Sequence, residues 1–161
     1  MEMTDFDKYI IQSEPEKSEK ARIWQTAIGL QDVDGLKPSE YLIRTAEKHI
    51  EGDITIAEVK SLIDSYYESK GVRKEVETEG TEEADKVAAR ITEILSERAF
   101  SFTPDFLVKI HQRLFSGVYE HAGMIRQNNI SKKEWVLDGD TVIYSGYDMI
   151  RQTLEYDFSQ E

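Results

Sequence analysis

The sequence has no cysteine. Disulfides and thiolate metal sites are therefore excluded, and the chain suits a reducing compartment such as the cytoplasm. Proline is scarce, with three residues, and the nine glycines are scattered as caps and turns rather than gathered into a phosphate-cradling loop. No apolar run approaches the ~20 residues of a membrane-spanning helix. The first residues, MEMTDFDKYI, lack the basic and apolar regions of a secretion signal. Positive charge is also short: 20 Lys and Arg stand against 32 Asp and Glu, for a net charge of −12. Such a surface repels phosphate backbones and anionic lipid, so nucleic acid and membrane are poor partners and a DNA-binding regulator is disfavoured.

What the chain does have is helical periodicity. Ser13 and Glu16 form a capping-box pattern, with Pro15 in the first turn. The helix that follows is expected to turn Ile23, Trp24, Ala27, Ile28, Leu30 and Val33 to one side and to stop at Gly35. Pro38 is expected to open a second helix carrying Leu42, Ala46, His49 and Ile50 and closed by Gly52. Thr55 and Glu58 form another capping box before the stripe Ile56, Val59, Leu62, Ile63, Tyr66 and Tyr67, with Gly71 as its stop. These segments predict a three-helix module over residues 1–71.

Residues 72–83 are charge-rich and aperiodic and read as a linker; the glutamates there read as a solvated face. Beyond it, Thr81 is a candidate cap for a helix with Val87, Ile91, Ile94 and Leu95 inward. Thr103-Pro104 starts another, with Phe106, Leu107, Ile110, Leu114 and Phe115 toward the core. The period then changes. Two runs of β-formers flank Asp138-Gly139, a tight-turn dipeptide, so a hairpin is expected over 132–145. Gly146 precedes a last helix with Met149, Ile150, Leu154 and Phe158. The fold class expected is mainly α with one hairpin.

The chemistry is sparse. His49 sits at a core position of its helix, His111 at a packing position, and His121 at a helix exit; none has metal-ligand spacing. No nucleophile elbow or deaminase motif occurs. The hairpin admits two readings. It is either a decoration packed on the core or an edge that pairs with an extended peptide. Trp135, Val136, Leu137, Thr141, Val142, Ile143 and Tyr144 are the residues that would meet such a peptide.

One block carries a resemblance. His111, Leu114, Phe115, Tyr119, Ala122, Gly123 and Arg126 resemble the first conserved block of Fic domains, α-helical enzymes that commonly transfer AMP from ATP to protein hydroxyls. The resemblance implies that residues 84–161 are the N-terminal half of a Fic-like domain and that the hairpin is its target-clamping flap. Trp24 to Tyr67 resembles the small VbhA-like antitoxin domain that accompanies Fic proteins. Its inhibitory motif, a Ser/Thr, three residues, then Glu-Gly, aligns with Leu30 and Asp34-Gly35. Aspartate keeps the charge and is one methylene shorter; leucine lacks the hydroxyl.

The family's catalytic loop, H-P-F-x-[DE]-G-N-x-x-R, is not in this sequence and is expected beyond Glu161. The chain alone is therefore expected to hold no catalytic residue, metal or cofactor, while ATP and Mg²⁺ are implied for the complete enzyme. The partners implied are a protein target at the hairpin and a separate catalytic half. The alternative is a non-catalytic module that binds such a half, or another protein, as made.

Overall fold

The computed structural model describes residues 5–12, 14–69, 76–133 and 141–160. The fold is mainly helical, and the chain divides into two compact units, Met1–Ala99 and Phe100–Glu161.

The first unit contains α1 (Asp7–Gln12), α2 (Pro15–Val33), α3 (Glu40–Glu51), α4 (Ile56–Ser69) and α5 (Val76–Glu97). Its centre is Trp24, surrounded by Ala21, Ala27, Leu42, Ala46, Ile50, Val59, Ile63, Ala88 and Ala89, all buried. The many alanines on α2 and α5 let those two helices approach closely around the indole. Phe6 and Tyr9, around the short α1, close one end of this core.

Local signals set most of these boundaries. Gly52 adopts φ 86° and ends α3, and its N–H is bonded to the carbonyls of Lys48 and His49. The Thr55 hydroxyl accepts the Glu58 N–H at 3.2 Å, while the Glu58 carboxylate accepts the Thr55 N–H at 3.3 Å, a reciprocal box at the start of α4. Ion pairs Lys8–Glu47, Lys17–Glu51 and Lys60–Glu93 join neighbouring helices at the surface. Being solvated, they add little to stability.

Several expectations are corrected. The residues taken as a linker, 72–83, overlap α5, which begins at Val76, so Thr81 lies inside a helix and not at its cap. Helix α5 packs on α2 and α4, and the boundary between units falls after Ala99. The N-terminal module is therefore five helices and not three. Ser39, not Pro38, starts α3: its hydroxyl accepts the Leu42 N–H at 3.1 Å. Leu30 is 51 % exposed and Val33 81 %, because the buried seam of α2 runs through Ala21, Trp24, Ala27 and Gln31. Leu62 and Leu95 are likewise exposed. Ser13, Gly71 and Asp138-Gly139 lie outside the described residues, and the cap position of α2 is Glu14, which makes no side-chain capping bond.

Two polar contacts cross this core. The Trp24 indole N–H donates to His49 Nδ1 at 3.0 Å. Burial, and secondarily the charge of Lys20, lowers the His49 pKa from 6.5 to about 4. The sign follows directly. Above pH 6.5 the ring is neutral in both folded and unfolded chains; below it only the unfolded chain takes up a proton. Stability is therefore expected to fall from pH 6.5 toward pH 4 by about 1.4 kcal/mol per pH unit, on the order of 3 kcal/mol in all. Urea titrations across that range check it, and His49→Gln should flatten this component.

The second contact is a buried carboxylate. Asp85 on α5 is fully buried and accepts the Ser39 N–H at 2.8 Å, the Ser39 hydroxyl at 2.6 Å and the Tyr67 hydroxyl at 2.5 Å. Burial and this bond push the Tyr67 phenol well above its usual pKa. One side chain thus ties the start of α3 and the end of α4 to α5.

The second unit contains α6 (Pro104–Phe115), strands β1 (Ser131–Lys133) and β2 (Thr141–Ile143), a 3₁₀ turn over Tyr147–Met149 and α7 (Ile150–Ser159). Thr103 caps α6 through the Phe106 N–H at 3.1 Å, as its Thr-Pro start predicts. Ile150, Leu154 and Phe158 are half-buried along α7, while Met149 falls in the 3₁₀ turn before it. The strands pair antiparallel, Ser131 with Ile143, Lys132 with Val142 and Lys133 with Thr141. No helix among the described residues is long and apolar enough to cross a membrane.

Candidate functional site

The residues of the block from His111 to Arg126 come together as one local structure in the second unit. His111, Leu114 and Phe115 share a side of α6 because they stand three and four residues apart. The helix ends at Ser116, and Gly117 takes φ 76° to reverse the chain. Tyr119 then bonds back to the Phe115 carbonyl at 3.0 Å, and Ala122 to the Tyr119 carbonyl at 3.3 Å. This brings the Gly123 N–H onto His111 Nδ1 at 2.9 Å.

Gly123 is dictated twice over. Its φ is +75°, and a Cβ there would stand 2.7 Å from the Gln112 Cβ. Around it four rings gather: His111 to Phe115 at 4.9 Å, Phe115 to Tyr119 at 5.4 Å, Tyr119 stacked on His121 at 5.2 Å, and His121 to His111 at 6.1 Å. His121 enters this cluster through its ring, a role its position at a helix exit does not signal.

Arg126 connects the block to the two-stranded ribbon. Its Nη1 donates to the Asn128 carbonyl at 2.6 Å and its Nη2 to the Ser145 carbonyl. The guanidinium fork therefore clasps the chain just before β1 and just after β2. Asn129 adds a second clasp, its Oδ1 accepting the Tyr147 N–H at 2.9 Å. The ribbon is held at its base by these two side chains.

On the ribbon, Thr141, Val142 and Ile143 form β2 and Tyr144 follows it. Ile143 is 85 % exposed, the most exposed large apolar side chain among the described residues. Trp135, Val136 and Leu137 lie outside the described residues. Among those residues the sheet has two strands, so each strand has one paired side.

No side chain described in the second unit, from Phe100 onward, is buried. Its aromatic residues meet one another instead: Phe100 touches Phe102 at 4.5 Å and Phe106 at 5.5 Å, and Phe102 approaches Phe158 at 6.2 Å. Phe100 remains 65 % exposed and Phe102 52 %.

In the first unit, Asp34 and Gly35 close α2. The Asp34 N–H bonds to the Gln31 carbonyl at 3.1 Å, the Gly35 N–H to Asp32 at 2.9 Å, and Gly35 takes φ 71°. Both are exposed, as is Leu30 one turn earlier. These three residues form a solvent-facing helix end.

Among the described residues, no three His, Asp or Glu side chains are grouped as a metal site. No family model matches the sequence, and neither a curated protein nor a solved structure is significantly similar to it.

Proposed function

We propose that this chain supplies the antitoxin-like regulatory module and the target-docking ribbon of a Fic-type protein AMP-transferase, with the nucleotide-handling loop outside residues 1–161. The observation that supports this most is that no described side chain of the second unit is buried. Half-buried stripes on α6 and α7 and exposed Phe100 and Phe102 are what half of a helical core presents before its other half covers it. Among the described residues each strand of the ribbon, clasped by Arg126 and Asn129, is paired on one side, and an extended target segment would add as a strand on the other. ATP and Mg²⁺ belong to the covering half. Asp34, at the exposed end of α2, is the regulatory carboxylate in this reading.

A ribbon deletion in the completed assembly tests the docking role. Replacing 131–143 with a short Gly-Ser link should abolish modification of the protein target and leave ATP affinity within about twofold, since binding contacts to different ligands are separable. Equal loss of both would contradict it.

The second reading is a non-catalytic module that docks on another protein. It is favoured by the absence of any catalytic motif from the sequence. It predicts co-elution with a partner in gel filtration and no dependence of any AMP transfer on this chain.

A further inference from the structure

Within the first unit, the middle and end of α2, the turn after it and the start of α3 enclose a groove of about 720 Å³. That volume lies in the ~300–1,000 Å³ range of small-molecule sites. Phe6, Ile28 and Leu36 give it apolar walls. Asp5, Asp7, Asp32 and Glu40 stand around them, and Lys37 is the one cation among the lining residues. Gln25 holds Asp7 in place, its Nε2 donating to Oδ1 at 3.0 Å.

Gly29 lines the same groove. It lies inside α2, where glycine weakens a helix relative to alanine. Its φ is not among the positive values that favour glycine, and a Cβ there would meet nothing within 4 Å. Neither backbone conformation nor packing requires this glycine. Its effect is to leave the groove wall open at that point.

We infer that this groove binds an amphipathic organic cation, with an apolar body against Phe6, Ile28 and Leu36 and an ammonium or guanidinium among the carboxylates. Neutral molecules of the same shape gain only the apolar part. Anions are repelled by four carboxylates against one ammonium. The groove lies wholly within the first unit and owes nothing to the ribbon's role.

Amide chemical shifts of the full chain, titrated with 4-phenylbutylamine and separately with 4-phenylbutanol, test this. The amine should move resonances within residues 25–43 and bind about fivefold or more tightly than the alcohol. Gly29→Leu fills the opening with a better helix former, so it should raise Tm by a few degrees while removing the amine's shifts. Asp32→Asn combined with Glu40→Gln should weaken the amine several-fold and leave the alcohol unchanged. Equal affinity of amine and alcohol would overturn the proposal. So would an absence of shifts at about 10 mM, above the range expected of so small a ligand. Shifts that survive Gly29→Leu, or that Mg²⁺ alone reproduces, would overturn it as well.

Discussion

Asp85→Ala is expected to destabilise the first unit by about 3–5 kcal/mol, measured as a fall in the urea midpoint followed by far-UV circular dichroism. Three donors lose their acceptor at once: the Ser39 N–H, the Ser39 hydroxyl and the Tyr67 phenol. Each stranded buried donor costs about 1–3 kcal/mol. Removing the carboxylate also relieves the cost of burying a charge, which keeps the net effect below the sum. The loss spreads because Ser39 has a second task. The hydroxyl that donates to Asp85 also accepts the Leu42 N–H and so caps α3. Asp85→Asn should cost less, about 1–3 kcal/mol, since one oxygen still accepts while the new NH₂ faces a donor. A loss under about 1 kcal/mol for the alanine variant would mean that the donors find water and the network does not hold the helices together.

Trp24→Ala is expected to cost a similar amount, about 3–5 kcal/mol, by a different route. The indole is fully buried among alanines from α2, α3 and α5, and small neighbours have little side chain with which to fill the space. The substitution also removes the donor to His49 Nδ1 and admits solvent beside that ring. Its pKa should therefore climb back toward 6.5, and the loss of stability below pH 6.5 should shrink. Trp24→Phe separates the two effects. It keeps most of the volume, removes the N–H, and should cost about 1–2 kcal/mol. A Trp24→Ala variant with the pH dependence of the parent would show that His49 owes its neutrality to other neighbours.

These two hubs show where sequence reading succeeded and where it did not. Gly52, the Thr55–Glu58 box and the Thr103-Pro104 start are local signals, and each appears in the structure at the expected position. The core placement of Trp24, Leu42, Ala46, His49 and Ile50 followed from helical spacing. Asp85 was not legible. It sits in the run TEEADK, which looks like a solvated face, and only the arrival of Ser39 and Tyr67 from distant positions makes it a core residue. The aperiodic, charge-rich stretch before that run hid the beginning of α5 at Val76, where Gly80 lowers local helix propensity and packing on α2 and α4 supports the helix.

The phase of α2 was misread near its end because Leu30 and Val33 are apolar whereas the buried position is Gln31. At the candidate site, the resemblance drew attention to His111, Gly123 and Arg126. The bonds by which they build a ring cluster and clasp the ribbon come from chain reversal at Gly117 and Gly123, which spacing alone does not encode. Of the expected hairpin, two short paired strands, Ser131–Lys133 and Thr141–Ile143, are described, and the turn at Asp138-Gly139 lies outside the described residues.

The central claim is that residues 1–161 hold and present a target while the reactive groups come from a covering helical part. Transfer of label from α-³²P-ATP to protein tests it most directly, measured with the purified chain alone and again after addition of a helical fragment bearing an H-P-F-x-[DE]-G-N-x-x-R loop. The account predicts no label with the chain alone and label once the fragment is bound. Label transferred by the chain alone, or a fragment that binds the second unit and still transfers nothing, would contradict it.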